Sequence, residues 1–401
     1  MSALLWPGDD RAGDLMSDGA LLASMVEVEQ AWLAALVAAG IAPRSAQENL
    51  AALVDPNDLS SLASAAEGSG TPIPPLLALL RERVGNGEAS RWLHKGLTSQ
   101  DVIDTALVMT ARAAVGAVRA SLLGQVRTLR DLVAEHRGTP MVARTLTQHA
   151  VPTTFGLKAV GWLTGVLDAL DDLRALVFPV QVGGAAGTLA ALVELGDPAL
   201  AVDCVAATAR TLGLDEAAPW HTTRSRITRI GDAAVRCTDA WGHIANDVLA
   251  LSRPEIAEVA EGVGGGSSTM PHKANPVLST LVRRAALAAP GLGAALHLAA
   301  AEQVDERADG SWHVEWQTLA TLLRRTVVAG AQTADLLGGL RVHTDRMAAT
   351  LASAHDDVRA EQRTMAAVAG HPPRDDYLGL TQVLVDQVLT RAARIGEGAS
   401  A

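Results

Sequence analysis

The stretch "EGVGGGSSTMPHKANPV", Glu261 to Val277, breaks a chain whose periodicity is otherwise helical. Three consecutive glycines, Gly264 to Gly266, precede two serines, then a histidine and a lysine between two prolines. Glycine is the poorest helix former after proline, and serine favours caps and turns. The run therefore marks a loop whose backbone is free to adopt positive φ and to move over a ligand. Ser267 follows the glycines. A serine hydroxyl is a poor base unless its alkoxide is stabilised, which backbone N–H groups and the ammonium of Lys273 would do. Lys273 and Asn275 would also hold a carboxylate. The same composition suits a plain linker ahead of a helix start, so the loop alone leaves both readings open.

On either side of this loop the apolar spacing is helical. Val118, Leu122, Val126, Leu129 and Val133 recur at three and four residues, with Gly138 and Pro140 as the stop. A second stripe runs from Leu22 to Val37 and ends at Gly40. Further helices are expected over Thr153 to Val177, Ile230 to Leu251, from about Asn275 with an interruption at Pro290, and Trp316 to Leu337. Sustained strand alternation with hairpin turns is scarce. Several helices are apolar on more than one face, as expected of helices surrounded by helices. The expected fold is all-α, a long-helix bundle over residues 101–345 with small helical domains at 1–100 and 346–401.

The chain has 401 residues, 49% of them hydrophobic, enough for a large core. Only 19% are charged, below the usual quarter, so some other chain is expected to cover part of the surface. The net charge of −11 disfavours nucleic acid and anionic membrane as partners. It leaves room for a small anionic substrate where a few cations converge. Cys204 and Cys237 have no metal-type spacing, and neither a metal nor a disulfide framework is expected. The opening residues lack the basic-then-apolar pattern of a signal peptide, and a cytoplasmic location is expected. Ala285 to Ala301, the longest uncharged apolar run, is Ala- and Gly-rich and reads as a packed core helix, not a membrane span.

Three other stretches carry candidate chemistry. In "HKGLTSQDVIDTALV", His94 to Val108, Thr98 and Ser99 stand before a helical run, where hydroxyls and free N–H groups make an anion site. Alternatively, one of Thr98, Ser99 or Asp101 merely caps the helix. In "ARTLTQHAVPTTFGLKAVGW", Ala143 to Trp162, Arg144, Thr147, Gln148 and His149 precede a helix expected near Pro152, and a lone histidine there is commonly structural. In "EQVDERADGSWHVEWQTL", Glu302 to Leu319, Trp312 and Trp316 are spaced for helix packing, while Arg307 and His313 would serve a site or a subunit contact.

Taken in order, "TSQDVIDTA", "RTLTQHAVPTTFG" and "GSSTMPHKANP" resemble the three signature motifs of the fumarase/aspartase superfamily, which includes adenylosuccinate and argininosuccinate lyases. The details, including "PVQVGGAAGTLAAL" from Pro179, "PWHTTRSRI" from Pro219 and "GSWHVEW" from Gly310, resemble its 3-carboxy-cis,cis-muconate cycloisomerase branch. The likeness runs from about residue 5 to about 350, with a weaker tail from Asp375. Two positions depart from the lyase pattern. Leu146 stands where lyases carry an acid histidine, and Thr280 where they carry a glutamate. The cycloisomerase branch also departs there, typically with an aromatic at the first. Between about 355 and 375 the chain is shorter than the family's C-terminal domain.

The resemblance implies a homotetramer with a central twenty-helix bundle and sites assembled from three subunits, one motif from each. It implies no metal and no organic cofactor. The glycine loop becomes a lid that delivers Ser267 as base, with Lys273 and His149 completing the catalytic set. Thr98, Ser99, Arg144, Thr147, Gln148, Ser268, Met270, Asn275 and Arg307 would bind a small polycarboxylate. The implied reaction is closure of 3-carboxy-cis,cis-muconate to 4-carboxymuconolactone by reversible carboxylate addition. The alternatives are a lyase expelling an amine or another small group from a substituted succinate, a non-catalytic helical oligomer, and, against the charge, a DNA- or membrane-binding protein.

Overall fold

Five long helices form the body of the subunit: Ser99–Glu135, Phe155–Arg174, Ser225–Leu251, Val277–Ala301 and Gly310–Gly338. They are seen in a computed structural model that describes residues 3–262, 265, 270, 273–354 and 356–397. The Ser99 helix, 37 residues, spans about 55 Å at 1.5 Å per residue. It packs on the Phe155 and Gly310 helices, and the Ser225 helix packs on the Phe155, Val277 and Gly310 helices. The fold is thus the expected all-α bundle. Asp18–Ala38, Asp58–Ala66, Ile73–Val84 and Glu88–Trp92 precede it; Thr344–Ser353, Ala360–Ala369 and Thr381–Glu397 follow it.

The helices form where the apolar stripes predict, and they lock through a few large side chains. Trp32, Trp162, Trp241 and Trp312 are wholly buried. Trp241 joins three helices: its indole N–H donates to Gln125 Oε1 at 2.7 Å, and Gln125 Nε2 donates to the Gly330 carbonyl at 2.9 Å. A Cβ on Gly330 would come within 3.0 Å of that indole, so glycine permits the close approach. Cys204 and Cys237 are buried and free, and burial pushes the Cys204 thiol up to about 11. Asp18–Ala38 and Ser99–Glu135 are long and apolar enough to cross a membrane by length and composition. Both instead carry side chains into this core, Trp32 and Leu36 from the first and Val118 and Leu122 from the second.

Two expectations fail locally. The Val277 helix is not interrupted at Pro290 but runs through it to Ala301. Pro290 itself lies on the exposed face of the helix. The segment before Phe155 is not the start of a helix near Pro152. Pro140–Thr145 and Gln148–Thr154 form an antiparallel hairpin, with Val142 opposite Pro152, Arg144 opposite His149 and Thr145 opposite Gln148. The helix begins only at Phe155, where the Thr154 hydroxyl caps it by accepting from Leu157 N–H.

Candidate active site

The Ser99 helix starts on a buried carboxylate. Asp101 Oδ2 accepts from the Thr98 and Gly184 N–H groups, at 3.0 and 2.9 Å. Its Oδ1 accepts from Gly183 N–H and Gln181 Nε2, and lies 3.1 Å from His221 Nε2. Such a group is tolerable in the core because its charge is so fully hydrogen-bonded. Gly183 must be glycine here: a Cβ would lie 2.5 Å from the His221 ring. Thr98 and Asp101 thus share the capping that the sequence left open among three residues, as a capping box, and the Thr98 hydroxyl has a further partner. It accepts from Arg307 Nη1 at 2.7 Å. The structure thus joins Thr98 and Arg307, 209 residues apart, at a helix N-terminus. A hydroxyl, a guanidinium and free N–H groups in one place suit a carboxylate. Ser99 stands beside them, part-exposed.

A second buried network underpins this corner. Arg224 is wholly buried and donates to Asp104 at 2.7 and 2.9 Å and to Glu315 at 3.0 Å. Burial alone would pull the Arg224 proton affinity down, but the two carboxylates more than reverse it and keep it charged. Burial pushes Glu315 up, and Arg224 opposes that shift. Trp312 N–H also donates to Asp104 Oδ1. The Ser99, Ser225 and Gly310 helices are thereby clamped just behind Thr98 and Arg307.

The hairpin tip forms a second group. Leu146 and Thr147 are its two turn residues, with φ of 48° and 69°. Two-residue turns of this kind favour Asn-Gly, and a leucine and a β-branched threonine there are strained by about 1–3 kcal/mol each. Leu146 is 95% exposed, and Thr147, Gln148 and His149 are exposed with it. Gln148 Nε2 donates to Thr147 Oγ1 at 3.3 Å. Arg144, lower on the strand, does not face this tip group. Both its terminal nitrogens donate to the buried Glu258, each at 2.8 Å.

The loop forms the third. Its two ends are tied by Gly265 N–H to Asn275 O and Asn275 N–H to Gly265 O, both 2.9 Å. Glu261 accepts from Leu278 N–H, Ser279 N–H and the Ser279 hydroxyl, so a carboxylate caps the Val277 helix. Lys273 and Met270 are exposed, and Lys273 N–H donates to the Met270 carbonyl. Ser267 and Ser268 lie outside the described residues. Thr280 returns its hydroxyl to the Pro276 carbonyl.

No hydrogen bond or ion pair that the structure describes joins the helix start, the hairpin tip and Lys273 to one another. Sequence reasoning missed one group beside the first of them. His94 Nδ1 lies 2.6 Å from Oε1 of Glu29, which is fully buried. The Glu29 carboxylate fixes the orientation of this imidazole four residues before Thr98. The available signal was a glutamate inside the apolar stripe "MVEVEQAWL". Among the described residues no cluster of three or more His, Cys, Asp or Glu side chains is placed to hold a metal ion.

Residues 14–291 match the protein family described as Lyase. The chain is 40% identical over 397 residues to a nitrosuccinate lyase of Streptomyces davaonensis, covering 92% of this chain and 83% of that one. It is 41% identical over 359 residues to a 3-carboxy-cis,cis-muconate cycloisomerase of Bradyrhizobium diazoefficiens, covering 87% and 78%. The crystal structure of the 3-carboxy-cis,cis-muconate lactonizing enzyme of Pseudomonas putida superposes with a TM-score of 0.82 at 30% identity, covering 96% and 97%. With motifs, fold and relatives in agreement, the chain belongs to the lyase family of the fumarase/aspartase superfamily and is an enzyme of lyase or cycloisomerase type.

Proposed function

We propose that the enzyme is a 3-carboxy-cis,cis-muconate cycloisomerase working in the cytoplasm as a homotetramer. In the forward direction a substrate carboxylate oxygen bonds to an alkene carbon, and a proton reaches the neighbouring carbon. In reverse, a base takes that proton from the carbon α to a carboxylate, and the C–O electron pair leaves with the internal carboxylate. Ser267 is the base in reverse and the proton source forward. The aci-carboxylate between them carries extra negative charge, which Lys273 and Asn275 stabilise once the lid has closed. Thr98, Ser99 and Arg307 hold a carboxylate at the helix start, and Thr147, Gln148 and His149 line the opposite wall.

The observation that carries this reading is Leu146. Where amine-expelling lyases place an acid, this chain puts an exposed leucine at a strained hairpin tip. A leaving group that departs as a stable anion needs no proton there. An internal carboxylate meets that condition. So does nitrite, and the identity to a nitrosuccinate lyase over most of the chain favours a second reading: removal of the C3 proton and release of nitrite from nitrosuccinate, giving fumarate. Ultraviolet assay separates the two. Loss of the muconate diene absorbance is expected on carboxymuconate. Release of nitrite and fumarate from nitrosuccinate, with carboxymuconate untouched, would replace the first reading with the second.

The leaving-group argument has its own test. Leu146→His is expected to leave turnover of carboxymuconate and nitrosuccinate unchanged or lower, because a polar ring would replace apolar contact with substrate carbons. If the variant gained about a hundredfold on an aminosuccinate derivative while lactone formation stayed constant, an acid-assisted C–N lyase would be the better assignment.

A further inference from the structure

We propose that Arg144 is a positioning residue: with Glu258 it fixes the angle at which the hairpin tip and the loop after Gly262 leave the body of the subunit. The guanidinium meets both carboxylate oxygens of Glu258 at 2.8 Å, in the fork geometry that only arginine offers. Glu258 is fully buried, and no other cation reaches it among the described residues. The hairpin register shifts between Val142 and Arg144, an irregularity of the kind that re-aims a side chain. Arg144 thus reaches back to the loop root, while Thr147 and His149 are exposed.

The loop root on the other side of this pair is stiff. Glu258 N–H donates to the Leu251 carbonyl, and the Glu258 carbonyl accepts from His343 N–H, both at 2.9 Å. Val259 and Ala260 pair with Val342 and Arg341. Gly262 lies flat on Gly339, where a Cβ would come 2.4 Å from the carbonyl oxygen, and Arg341 Nη2 donates to the Gly262 carbonyl at 3.0 Å. Glu261 then pins the return of the loop through Leu278 and Ser279. Among the described residues, the hydrogen bonds of residues 258–262 run to the bundle or to residues 339–343, except those from Arg144, which reach the root from the hairpin. Beside the packing of the hairpin on the Thr344–Ser353 helix, this ion pair ties the hairpin to the loop root of the same chain. With one motif drawn from each subunit the two serve different sites, so loosening the pair disturbs a wall in each, and a displacement of about 1 Å in such a wall costs up to about a hundredfold in rate.

The inference rests on the reading of hairpin and loop as walls of sites shared between subunits. Hydrogen exchange without substrate tests the link whether or not carboxymuconate is turned over. Arg144→Met and Glu258→Gln are each expected to speed exchange over residues 258–262 and 275–279 and to lower kcat by about tenfold or more, with KM within about twofold. The double variant Arg144→Met/Glu258→Leu removes the buried charge together with its partner. It is expected to be as stable as either single variant or more so, and no slower, because both lose one interaction. Arg144→Lys, with charge but no fork, is expected to fall between. If Arg144→Met does not fold, the double and the lysine variants carry the test. Unchanged exchange at the root would overturn the proposal. So would a tenfold rise in KM for Arg144→Met beside wild-type kinetics for Glu258→Gln, which would make Arg144 a substrate ligand.

Discussion

Ser267→Ala is expected to lower kcat by about a thousandfold or more and to leave melting temperature and circular dichroism unchanged, the result that loss of the proposed base would give. The kinetic half of this expectation follows from the chemistry. A carbon acid α to a carboxylate loses its proton only to a base placed against it, and the dianion that results must be met by positive charge already in position. Ser267 stands six residues before Lys273 and directly after the glycine run. The structural half follows from how the loop is held. Its ends are closed by the Gly265–Asn275 hydrogen bonds, and the following helix is capped by Glu261, so no described fastening depends on the serine hydroxyl. Turnover of Ser267→Ala near the wild-type rate would remove the serine-base mechanism and pass the role to Ser268.

The long helices were legible because one physical rule governs them: a packed helix must turn an apolar side chain to its neighbour every three or four residues. Val118, Leu122, Val126 and Leu129 obey it. The hairpin obeys a rule the sequence hides. Its turn residues, Leu146 and Thr147, carry none of the Asn-Gly chemistry that announces a two-residue turn, and Pro152 in the second strand argues against a strand at all. Strain at the tip is compensated by the body of the hairpin, so the local signal points the wrong way. Candidate residues were named from motifs, each stretch by itself. Their pairings were not legible, because they join positions far apart: Thr98 with Arg307, Arg144 with Glu258, Glu29 with His94. A motif shows that an arginine is present; only the fold shows which carboxylate has taken it.

Mixing two inactive proteins, Ser267→Ala and Thr98→Ala, should restore activity when their subunits are exchanged by reversible dissociation. Two features of the subunit lead to this expectation. The helix start with Thr98 and Arg307, the exposed hairpin tip and Lys273 are not joined within one chain by any hydrogen bond or ion pair that the structure describes. The Val277 helix also leaves an outer stripe uncovered, with Leu287 73% and Leu298 69% exposed in line with Ala294 and Pro290. Leucines so exposed on a helix that packs tightly on its other faces are what a second copy of the chain would cover, in keeping with the low charged fraction. If the loop and the helix start of one site come from different subunits, random exchange at equal amounts gives about a quarter of sites both an intact Ser267 and an intact Thr98. If both come from one subunit, every site keeps one lesion and the mixture stays as inactive as its parts. Recovery of about a quarter of wild-type activity, together with sedimentation as a tetramer, is the expected result. Hybrids of verified mixed composition that remain inactive, or an active species that sediments as a monomer, would rule out the shared site.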